Sequence, residues 1–336
     1  MKVLLTGGSG FIGTHILKEL LNHGHETVVT VRSAAKGSFL VNKFRSSGNV
    51  SFVVVEDVAA PNAFDQAMQS TPAFDGIIHS ASPFHFNIRD AKKDILDPAI
   101  NGTTNVLTAA AEYAPFVKRV VITSSLGAML SMPNHPDEYN ETVWNPTTME
   151  QALNDFALTY NASKKFAELA AWDFLRDKKP AFSLATINPP FVFGPVIHDL
   201  RSLDNINTSN GRILSAANGG FRDKIPPTGS FMWVDVRDVA LAHVRALERP
   251  DAGGHRFLLV SSFWTNKDLV ETIGVQFPGL KANLPREIKS DMPDEMFTFE
   301  IEPSRSILGL QYIRFEKSVV DTVNSLLAID PSLGLK

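Results

Sequence analysis

The 336-residue chain carries 32 basic and 36 acidic side chains, a net charge of −4, and 44% of its residues are hydrophobic. This balance is ordinary for a folded globular protein of one large or two smaller domains, and it argues against nucleic acid as the main ligand. The absence of cysteine excludes disulfides, thiolate metal sites and cysteine nucleophiles. No apolar stretch reaches membrane-span length and a candidate strand begins at residue 2, so we expect no membrane partner, no signal peptide and a cytoplasmic location.

The chain begins with a strand, a glycine-rich turn and a helix. Residues 2–6 are mostly apolar, Gly7, Gly10 and Gly13 follow, and apolar residues recur at helical spacing over 12–21. Such glycines allow a tight turn, close approach of the backbone to a pyrophosphate and close helix–strand packing. The helix N-terminus adds free N–H groups and the positive end of a dipole. The turn predicts dinucleotide binding, with a purely structural strand–helix turn as the alternative.

The end of the second strand, residues 26–31, distinguishes between two nicotinamide cofactors. An acidic side chain there binds the ribose 2′-hydroxyl of NAD, whereas an arginine accommodates the 2′-phosphate of NADP. The chain has Arg32 at this place, with Lys36 in the first turn of a predicted helix. The arginine fork can bond two phosphate oxygens at once. We therefore predict NADP, with two solvated surface cations as the alternative.

Three more predicted strands cover residues 51–55, 75–79 and 118–122, and they alternate with helical stretches. This alternation predicts an α/β fold, a doubly wound parallel sheet of the Rossmann type. Asp57, after the third strand, can accept a hydrogen bond from the adenine amino group, or it simply begins a loop. Ala81, after the fourth strand, is one of several small residues that let the backbone pass close to a cofactor.

The predicted strand ends bring the candidate residues to one place. Ligands bind parallel sheets beyond the carboxyl ends of the strands. The glycine turn, Arg32, Asp57, Ala81 and Ser125 each follow a predicted strand. We therefore expect all of them at one edge of the sheet.

A tyrosine and a lysine lie four residues apart on a helix predicted from Tyr160 to about residue 175. Tyr160 and Lys164 then share one helix face. A nearby ammonium lowers the pKa of a phenol and makes it a usable general acid. Lys164 can also hold the nicotinamide ribose, and Ser125 can donate a hydrogen bond to a substrate carbonyl. Alone, the Tyr–Lys spacing is equally typical of two side chains that pair on the exposed surface of one helix.

The ordered motifs resemble the extended short-chain dehydrogenases/reductases, in particular the dihydroflavonol reductase-like branch and the fungal NADPH-dependent aldehyde and ketone reductases. The resemblance covers nearly the whole chain, and it is carried by residues 6–13, 31–33, 79–84, 101–102, 123–125, 144–146, 160–168, 188–195 and 234–240. It implies a Rossmann domain over 1–190 and a smaller, mainly substrate-binding C-terminal lobe over 191–336. Residues 235–262 are expected to return to the Rossmann domain.

The resemblance also implies roles for individual residues. Ser125, rather than Ser124, completes a catalytic set with the proton donor Tyr160 and its partner Lys164. Leu126 and Phe191 depart from the family pattern in ways that bear on substrate shape. The expected cofactor contacts are Gly7, Gly10, Phe11, Ile12, Gly13, Arg32, Lys36, Asp57, Val58, Ala81, Tyr160, Lys164, Pro189, Val192 and Ser209.

Aromatic residues near the catalytic set suggest an apolar substrate pocket. The candidates are Phe84, Phe86, Phe156 and Phe191, although with 23 phenylalanines in the chain core packing is the alternative for each. No His–carboxylate spacing indicates a metal site, and His23 and His25 are expected in solvent.

Together these features predict an NADPH-dependent reductase of aldehydes and ketones, similar to methylglyoxal reductases and ketoreductases. Its partner is a small carbonyl substrate, and the chain is expected to be a monomer or homodimer. One alternative is a sugar-nucleotide epimerase or dehydratase, which usually retains NAD, and Arg32 argues against it. The other is a non-enzymatic NADP sensor, which commonly lacks the tyrosine or the lysine.

Overall fold

The computed structural model describes residues 1–82, 89–200 and 202–333. The strands are β1 (Lys2–Thr6), β2 (Glu26–Val31), β3 (Val50–Val54), β4 (Gly76–His79), β5 (Arg119–Thr123), β6 (Glu138–Tyr139), β7 (Ser183–Asn188), β8 (Phe191–Phe193), β9 (Met232–Asp235), β10 (Arg256–Leu258), β11 (Ser262–Phe263) and β12 (Thr298–Phe299). The helices are α1 (Phe11–Asn22), α2 (Ala34–Phe44), α3 (Asp65–Met68), α4 (Asp97–Tyr113), α5 (Met149–Asn154), α6 (Phe156–Lys178), α7 (Thr208–Ala217), α8 (Val236–Glu248), α9 (Asn266–Gln276), α10 (Glu302–Ser306) and α11 (Phe315–Ile329).

The central sheet places the carboxyl ends of its strands side by side. Within the described residues it has seven parallel strands in the order β3-β2-β1-β4-β5-β7-β10. Thr6 at the end of β1 pairs with Thr30 of β2 and His79 of β4. The strand order reverses between β1 and β4, and such a switch point opens a crevice for nucleotides. The predicted α/β doubly wound sheet is confirmed.

Helices cover both faces of this sheet, which explains the continuous apolar runs of its strands. Successive side chains of a strand point to opposite faces. Val3 and Leu5 of β1 pack in a core with α1 and α8, whereas Leu4 packs in a second core with α4. Each strand of the sheet centre is thus buried on both sides.

A smaller lobe is built around the sheet β8-β9-β11 and helices α7, α9 and α11. Its core is aromatic: Phe193 lies edge-on to Trp264, with ring centroids 4.8 Å apart, and Phe315 lies edge-on to Trp233 at 5.0 Å. In the described ranges, no helix is both long and apolar enough to span a bilayer.

Helix boundaries differ from the sequence predictions for local reasons. Helix α6 begins at Phe156, before Tyr160, because the Asp155 side chain accepts a hydrogen bond from the Ala157 N–H and caps the helix there. Helix α4 is directly preceded by a π-helical turn, Lys92–Leu96. Tyr160 therefore lies in the second turn of a helix whose start is fixed.

Candidate active site

The glycine turn brings the end of β1 against the loop after β4. Gly7 has a φ of +72°, and a Cβ there would lie 2.7 Å from the Ala81 nitrogen. A Cβ on Gly13 would collide with the Gly7 carbonyl oxygen. Gly10 is the N-cap of α1, and a Cβ on it would meet only the Gly7 oxygen, at 3.4 Å. The α1 N-terminus, with Phe11 and Ile12 in its first turn, thus has the shape that a pyrophosphate needs.

The ends of β2 and β3 lie beside this turn and carry the predicted adenosine contacts. Arg32 follows β2 and is exposed, and Lys36 is half-buried on α2. Asp57 accepts a hydrogen bond from the Ala59 N–H at 2.9 Å, which fixes the loop after β3. Both cations therefore lie at the strand-end edge on the β2 side, where the 2′-phosphate of NADP would be read.

Asn105 on α4 is a residue that sequence reasoning missed. Its side-chain amide donates to the Val58 carbonyl at 3.1 Å and to the Ala60 carbonyl at 2.8 Å. These bonds hold the backbone that carries the Asp57 and Val58 candidates. No sequence pattern links residues 47 positions apart.

Ser125 lies just beyond β5 with its hydroxyl group oriented by the backbone. Its Oγ accepts a hydrogen bond from the Gly127 N–H at 3.0 Å. The hydroxyl proton thus remains for donation, and Ser125 is hydrogen-bonded to the Tyr160 side chain. Asn145, in the segment 144–146, supports this turn by donating to the Gly127 carbonyl at 2.9 Å.

Lys164 connects helix α6 with the loop after β4. Its Nζ donates to Ser82 Oγ at 2.8 Å and lies 5.9 Å from the Tyr160 ring centroid. Ser82 adjoins Ala81, which contacts the glycine turn. The structure thus brings Ser125 and the turn to one edge, as their positions after strands predict, and α6 brings Tyr160 and Lys164 to the same place.

The protonation of this site differs from the expected pattern. Burial raises the pKa of the Tyr160 phenol, and the hydrogen bond with Ser125 offsets this only in part. Burial also lowers the pKa of Lys164 to about 8. The expected lowering of the phenol pKa by the lysine is therefore not found, and desolvation determines the direction of the shift. Tyr160 keeps its proton at neutral pH, and it can donate that proton.

A buried carboxylate, Glu168, lies one helical turn after Lys164 and was also missed. Its side chain is 1% exposed. It accepts hydrogen bonds from the side chains of Ser124, Trp172, Thr186, Asn188 and Arg256. Asn188 also donates to the Ser125 carbonyl at 3.3 Å. Glu168 thus fixes the segment that carries Ser125 to the helix that carries Tyr160.

Arg256 of β10 completes this network. Its Nε lies 2.6 Å from Glu168 Oε1, and its guanidinium group lies 3.6 Å from the centroid of the Trp144 ring. A buried carboxylate is tolerated when it is paired and its lone pairs are satisfied. The spacing Tyr160, Lys164, Glu168 on one helix face is a signal that could have found the carboxylate, whereas nothing in the sequence points to Arg256.

A small cavity lies behind Lys164. Its volume is about 20 Å³, which suits about one water molecule. Its polar lining includes His79, Thr123 and Glu168. His79 Nδ1 lies 2.8 Å from Thr6 Oγ1, and burial lowers the pKa of His79 to about 3, so the ring is neutral.

The predicted nicotinamide contacts lie along β8 and α7. Pro189 is buried just before β8, and its carbonyl accepts a hydrogen bond from the Leu126 N–H at 2.8 Å. The Val192 N–H donates to Ser209 Oγ at 3.4 Å, so the residue expected near the nicotinamide adjoins the residue expected near the cofactor phosphates. Phe191, the first residue of β8, is half-buried against the lobe core, and its ring centroid lies 5.6 Å from that of Trp264.

The other residues predicted to line the substrate pocket are Phe84, Phe86 and Phe156. Phe84 and Phe86 lie outside the described residues. Phe156 is 50% exposed at the start of α6, so it is a surface side chain in this structure.

Comparison with known proteins places this site among reductases. The model of the NAD dependent epimerase/dehydratase family matches residues 3–259. The ketoreductase azaE of Aspergillus niger is 46% identical over 330 residues, covering 97% of this chain and 97% of that protein. Yeast methylglyoxal/isovaleraldehyde reductase in complex with NADPH has a TM-score of 0.92 at 33% identity, covering 98% of this chain and 99% of that one. The NADPH complex of Gre2 from Candida albicans has a TM-score of 0.88 at 38% identity, with 98% and 99% covered.

The family match over residues 3–259 spans the part of the chain that contains the glycine turn, Ser125, Tyr160 and Lys164, and the match to the yeast reductase covers 98% of the chain. The family match alone covers more than half of the chain. The chain therefore belongs to the NAD dependent epimerase/dehydratase family, within the extended short-chain dehydrogenases/reductases.

Proposed function

We propose that this protein is an NADPH-dependent reductase that converts small aldehydes or ketones to alcohols. The observation that carries the proposal is the meeting of Ser125, Tyr160 and Lys164 at the strand-end edge, beside the glycine turn. The relatives at 46% and 33% identity are a ketoreductase and a methylglyoxal/isovaleraldehyde reductase. Both support carbonyl reduction as the reaction class.

The residues present fit NADPH. The α1 N-terminus faces the pyrophosphate position, and Arg32 and Lys36 would bind the 2′-phosphate. Asp57 and Val58 would line the adenine. Ala81 would let the backbone pass close to the cofactor between its adenine and nicotinamide ends. Pro189 and Val192 would hold the nicotinamide end, and Ser209, which is hydrogen-bonded to Val192, would contact the cofactor phosphates. When bound, NADPH supplies the hydride for the carbonyl carbon.

The chain's own residues orient the substrate and supply the proton. Ser125 Oγ accepts the Gly127 N–H, which orients its hydroxyl group, and Ser125 would donate its own proton to the carbonyl oxygen of the substrate in place of its hydrogen bond with Tyr160. Tyr160 then donates its proton to that oxygen, which completes the alcohol and leaves a phenolate. The ammonium group of Lys164 stabilises the phenolate electrostatically and holds the ribose hydroxyls. We assign Phe191 to the apolar wall of the substrate site.

Two alternatives remain distinguishable. Epimerases of the same family use a tightly retained NAD, and an exposed Arg32 with no acidic residue at the end of β2 favours NADP instead. A non-enzymatic NADP sensor would bind the cofactor without turnover, although the proton donor and the lysine are both in place here.

The domain division, location and assembly are also proposals. Residues 1–190 would bind the dinucleotide and 191–336 mainly the substrate, and the pairing of β10 with β7 supports a return of the chain to the first domain. A chain without cysteine suits the reducing cytoplasm. We propose a monomer or homodimer there. Cell fractionation and light scattering after size exclusion test these points.

A panel of initial rates tests the proposed function. NADPH and NADH oxidation are followed with methylglyoxal, branched aldehydes, diketones, bulky aryl ketones and a dihydroflavonol. We expect turnover of at least one carbonyl class with NADPH preferred over NADH. Cofactor binding without turnover of any of these compounds would contradict the proposal and favour the sensor.

A further inference from the structure

A cluster of two histidines and a glutamate lies at the amino ends of the strands, far from the catalytic edge. Helix α1 ends at the C-cap His23, Gly24 follows with a φ of +75°, and His25 leads into β2. The His25 N–H bonds to the Leu20 carbonyl and the Gly24 N–H to the Leu21 carbonyl, each at 3.0 Å. This is a Schellman motif, a fixed helix ending. It holds the two histidines in a set relation to each other.

Glu248, the last residue of α8, meets both rings. Its Oε1 lies 3.0 Å from His23 Nδ1 and 2.8 Å from His25 Nε2. The three ligand atoms all lie within 4.8 Å of one another. Zinc–ligand bonds of about 2.0–2.2 Å separate tetrahedral ligand atoms by about 3.4 Å, so rotamer adjustments of up to about an ångström would enclose an ion. Two imidazoles and one carboxylate form a common zinc ligand set.

The surroundings of the cluster include a carboxylate that favours a cation, and they also include the Met1 amino group, 3.3 Å from His25 Nδ1. The other ring nitrogen of His23, Nε2, lies 3.2 Å from Glu19 Oε1. A carboxylate behind a ligating histidine fixes its tautomer and raises its basicity. The C-terminal ends of α1 and α8 also meet here, and helix C-termini favour cations. Both ring nitrogens of His23 thus face a carboxylate oxygen.

We propose that His23, His25 and Glu248 form a binding site for a divalent transition metal ion, with Zn²⁺ as the favoured ion. The side chains of His23 and Glu248 are 28% and 29% exposed, so the ion has access from solvent. The bound ion would join the end of α1, the start of β2 and the end of α8. Because these elements pack within one core, the ion stabilises the dinucleotide-binding domain and leaves the catalytic edge unchanged.

The test is Zn²⁺ binding to the chelator-treated, full-length protein, measured by isothermal titration and by metal analysis after dialysis. The wild type should bind one Zn²⁺ per chain, and its thermal midpoint should rise by about 4 °C when Zn²⁺ exceeds its Kd about one hundredfold. His23→Gln and Glu248→Gln should each weaken binding at least about tenfold. His255→Gln is the matched control, since His255 pairs with the single carboxylate of Glu141, and it should bind like the wild type.

Circular dichroism establishes that each variant is folded before titration. Two outcomes overturn the proposal: a folded wild type that binds no Zn²⁺ at about one hundred micromolar, or His23→Gln and Glu248→Gln variants that bind as tightly as the wild type. Either would make the cluster a hydrogen-bonded ion network only. The readout is metal binding, so it does not depend on whether the protein reduces carbonyls.

Discussion

The two edges of the central sheet carry polar clusters of different construction. At the carboxyl edge, Glu168 is 1% exposed and its oxygens accept hydrogen bonds from strands β7 and β10, from Ser124 just beyond β5 and from its own helix. At the amino edge, the side chains of His23 and Glu248 keep more than a quarter of their surface exposed. The Glu168 cluster fixes the positions of the segments that carry Ser125 and Tyr160. The cluster of His23, His25 and Glu248 leaves its ligand atoms accessible to an ion.

This difference teaches what each edge can do. Proton donation requires groups held in place before the reaction, because their reorganisation would add to the barrier. Ion binding at a helix ending tolerates small rotamer changes, because the metal itself completes the geometry. Substitutions at the carboxyl edge should therefore change turnover, and those at the amino edge should change metal binding or stability alone.

The largest effect is expected at the proton donor. Tyr160→Phe removes the hydroxyl that protonates the forming alkoxide, so kcat should fall about a thousandfold. The Kd of NADPH, measured by fluorescence titration, should stay within about threefold of wild type. Tyr113→Phe removes a hydroxyl at the end of α4 and should leave kcat unchanged. Near-normal turnover in Tyr160→Phe would disprove the assignment of the donor.

The next effect concerns the choice of cofactor. Arg32→Ala removes a charge-assisted contact to the 2′-phosphate, so the KM for NADPH should rise about ten- to one-hundredfold. The KM for NADH should change by less than about threefold. Arg45→Ala, at the far end of α2, serves as the control. Equal increases for both cofactors would show that Arg32 does not read the phosphate.

Replacing a glutamate by glutamine at each edge of the sheet, Glu168 at one and Glu248 at the other, tests the comparison between the two clusters. Glu168→Gln leaves Arg256 without its buried counter-charge, so we expect a loss of about 3–5 kcal/mol in the free energy of unfolding. In the folded fraction, kcat should also fall about tenfold with little change in the KM for NADPH, since Ser125 loses its support. Glu248→Gln should leave kcat unchanged. If Glu168→Gln lowers stability but kcat per folded molecule stays normal, the role of Glu168 is structural alone.

The smallest effect is a pH dependence of carbonyl reduction. The reaction needs a protonated Tyr160 and a charged Lys164, and the pKa of Lys164 is lowered to about 8. Because the phenol pKa is raised, the lysine loses its proton first as pH increases. The kcat/KM for the carbonyl should therefore fall by half near pH 8, and a profile that stays flat well above pH 9 would contradict this.

The same shift affects stability with a defined sign. Burial disfavours the ammonium form of Lys164 in the folded state, so its pKa is below the usual 10.5. The unfolded chain then binds more protons between about pH 8 and 10.5. This group thus adds stability as pH rises from about 8 to 10.5 and loses that gain as pH falls back through the same range, with no further change below about pH 8.

The catalytic edge could be predicted from the sequence because local rules place its residues. Gly7, Arg32, Asp57 and Ser125 each follow a strand, and parallel strands end together. Tyr160 and Lys164 follow from helical spacing. Their cofactor and substrate roles stay predictions, as do those of Phe84 and Phe86, which lie outside the described residues.

The supporting contacts could not be predicted, because they join distant parts of the chain. Arg256 pairs with Glu168 across 88 positions, and Glu248 meets His25 across 223. The expectation that His25 lies in solvent was wrong: the residue is 8% exposed, because α8 packs against α1 beside it. Only tertiary packing brings these charges together.

The transfer of deuterium from NADPH tests the central claim most directly. Wild-type protein is incubated with NADPH deuterated at C4 of the nicotinamide and with a carbonyl compound that is turned over, and the alcohol is analysed by mass spectrometry and NMR. We predict one deuterium at the carbinol carbon, and product formation about a thousandfold slower in Tyr160→Phe. The cofactor is labelled in turn at each of the two hydrogen positions of C4. If neither label reaches the carbinol carbon, the proposed hydride-transfer site is contradicted. Equal rates in the wild type and Tyr160→Phe would contradict it as well.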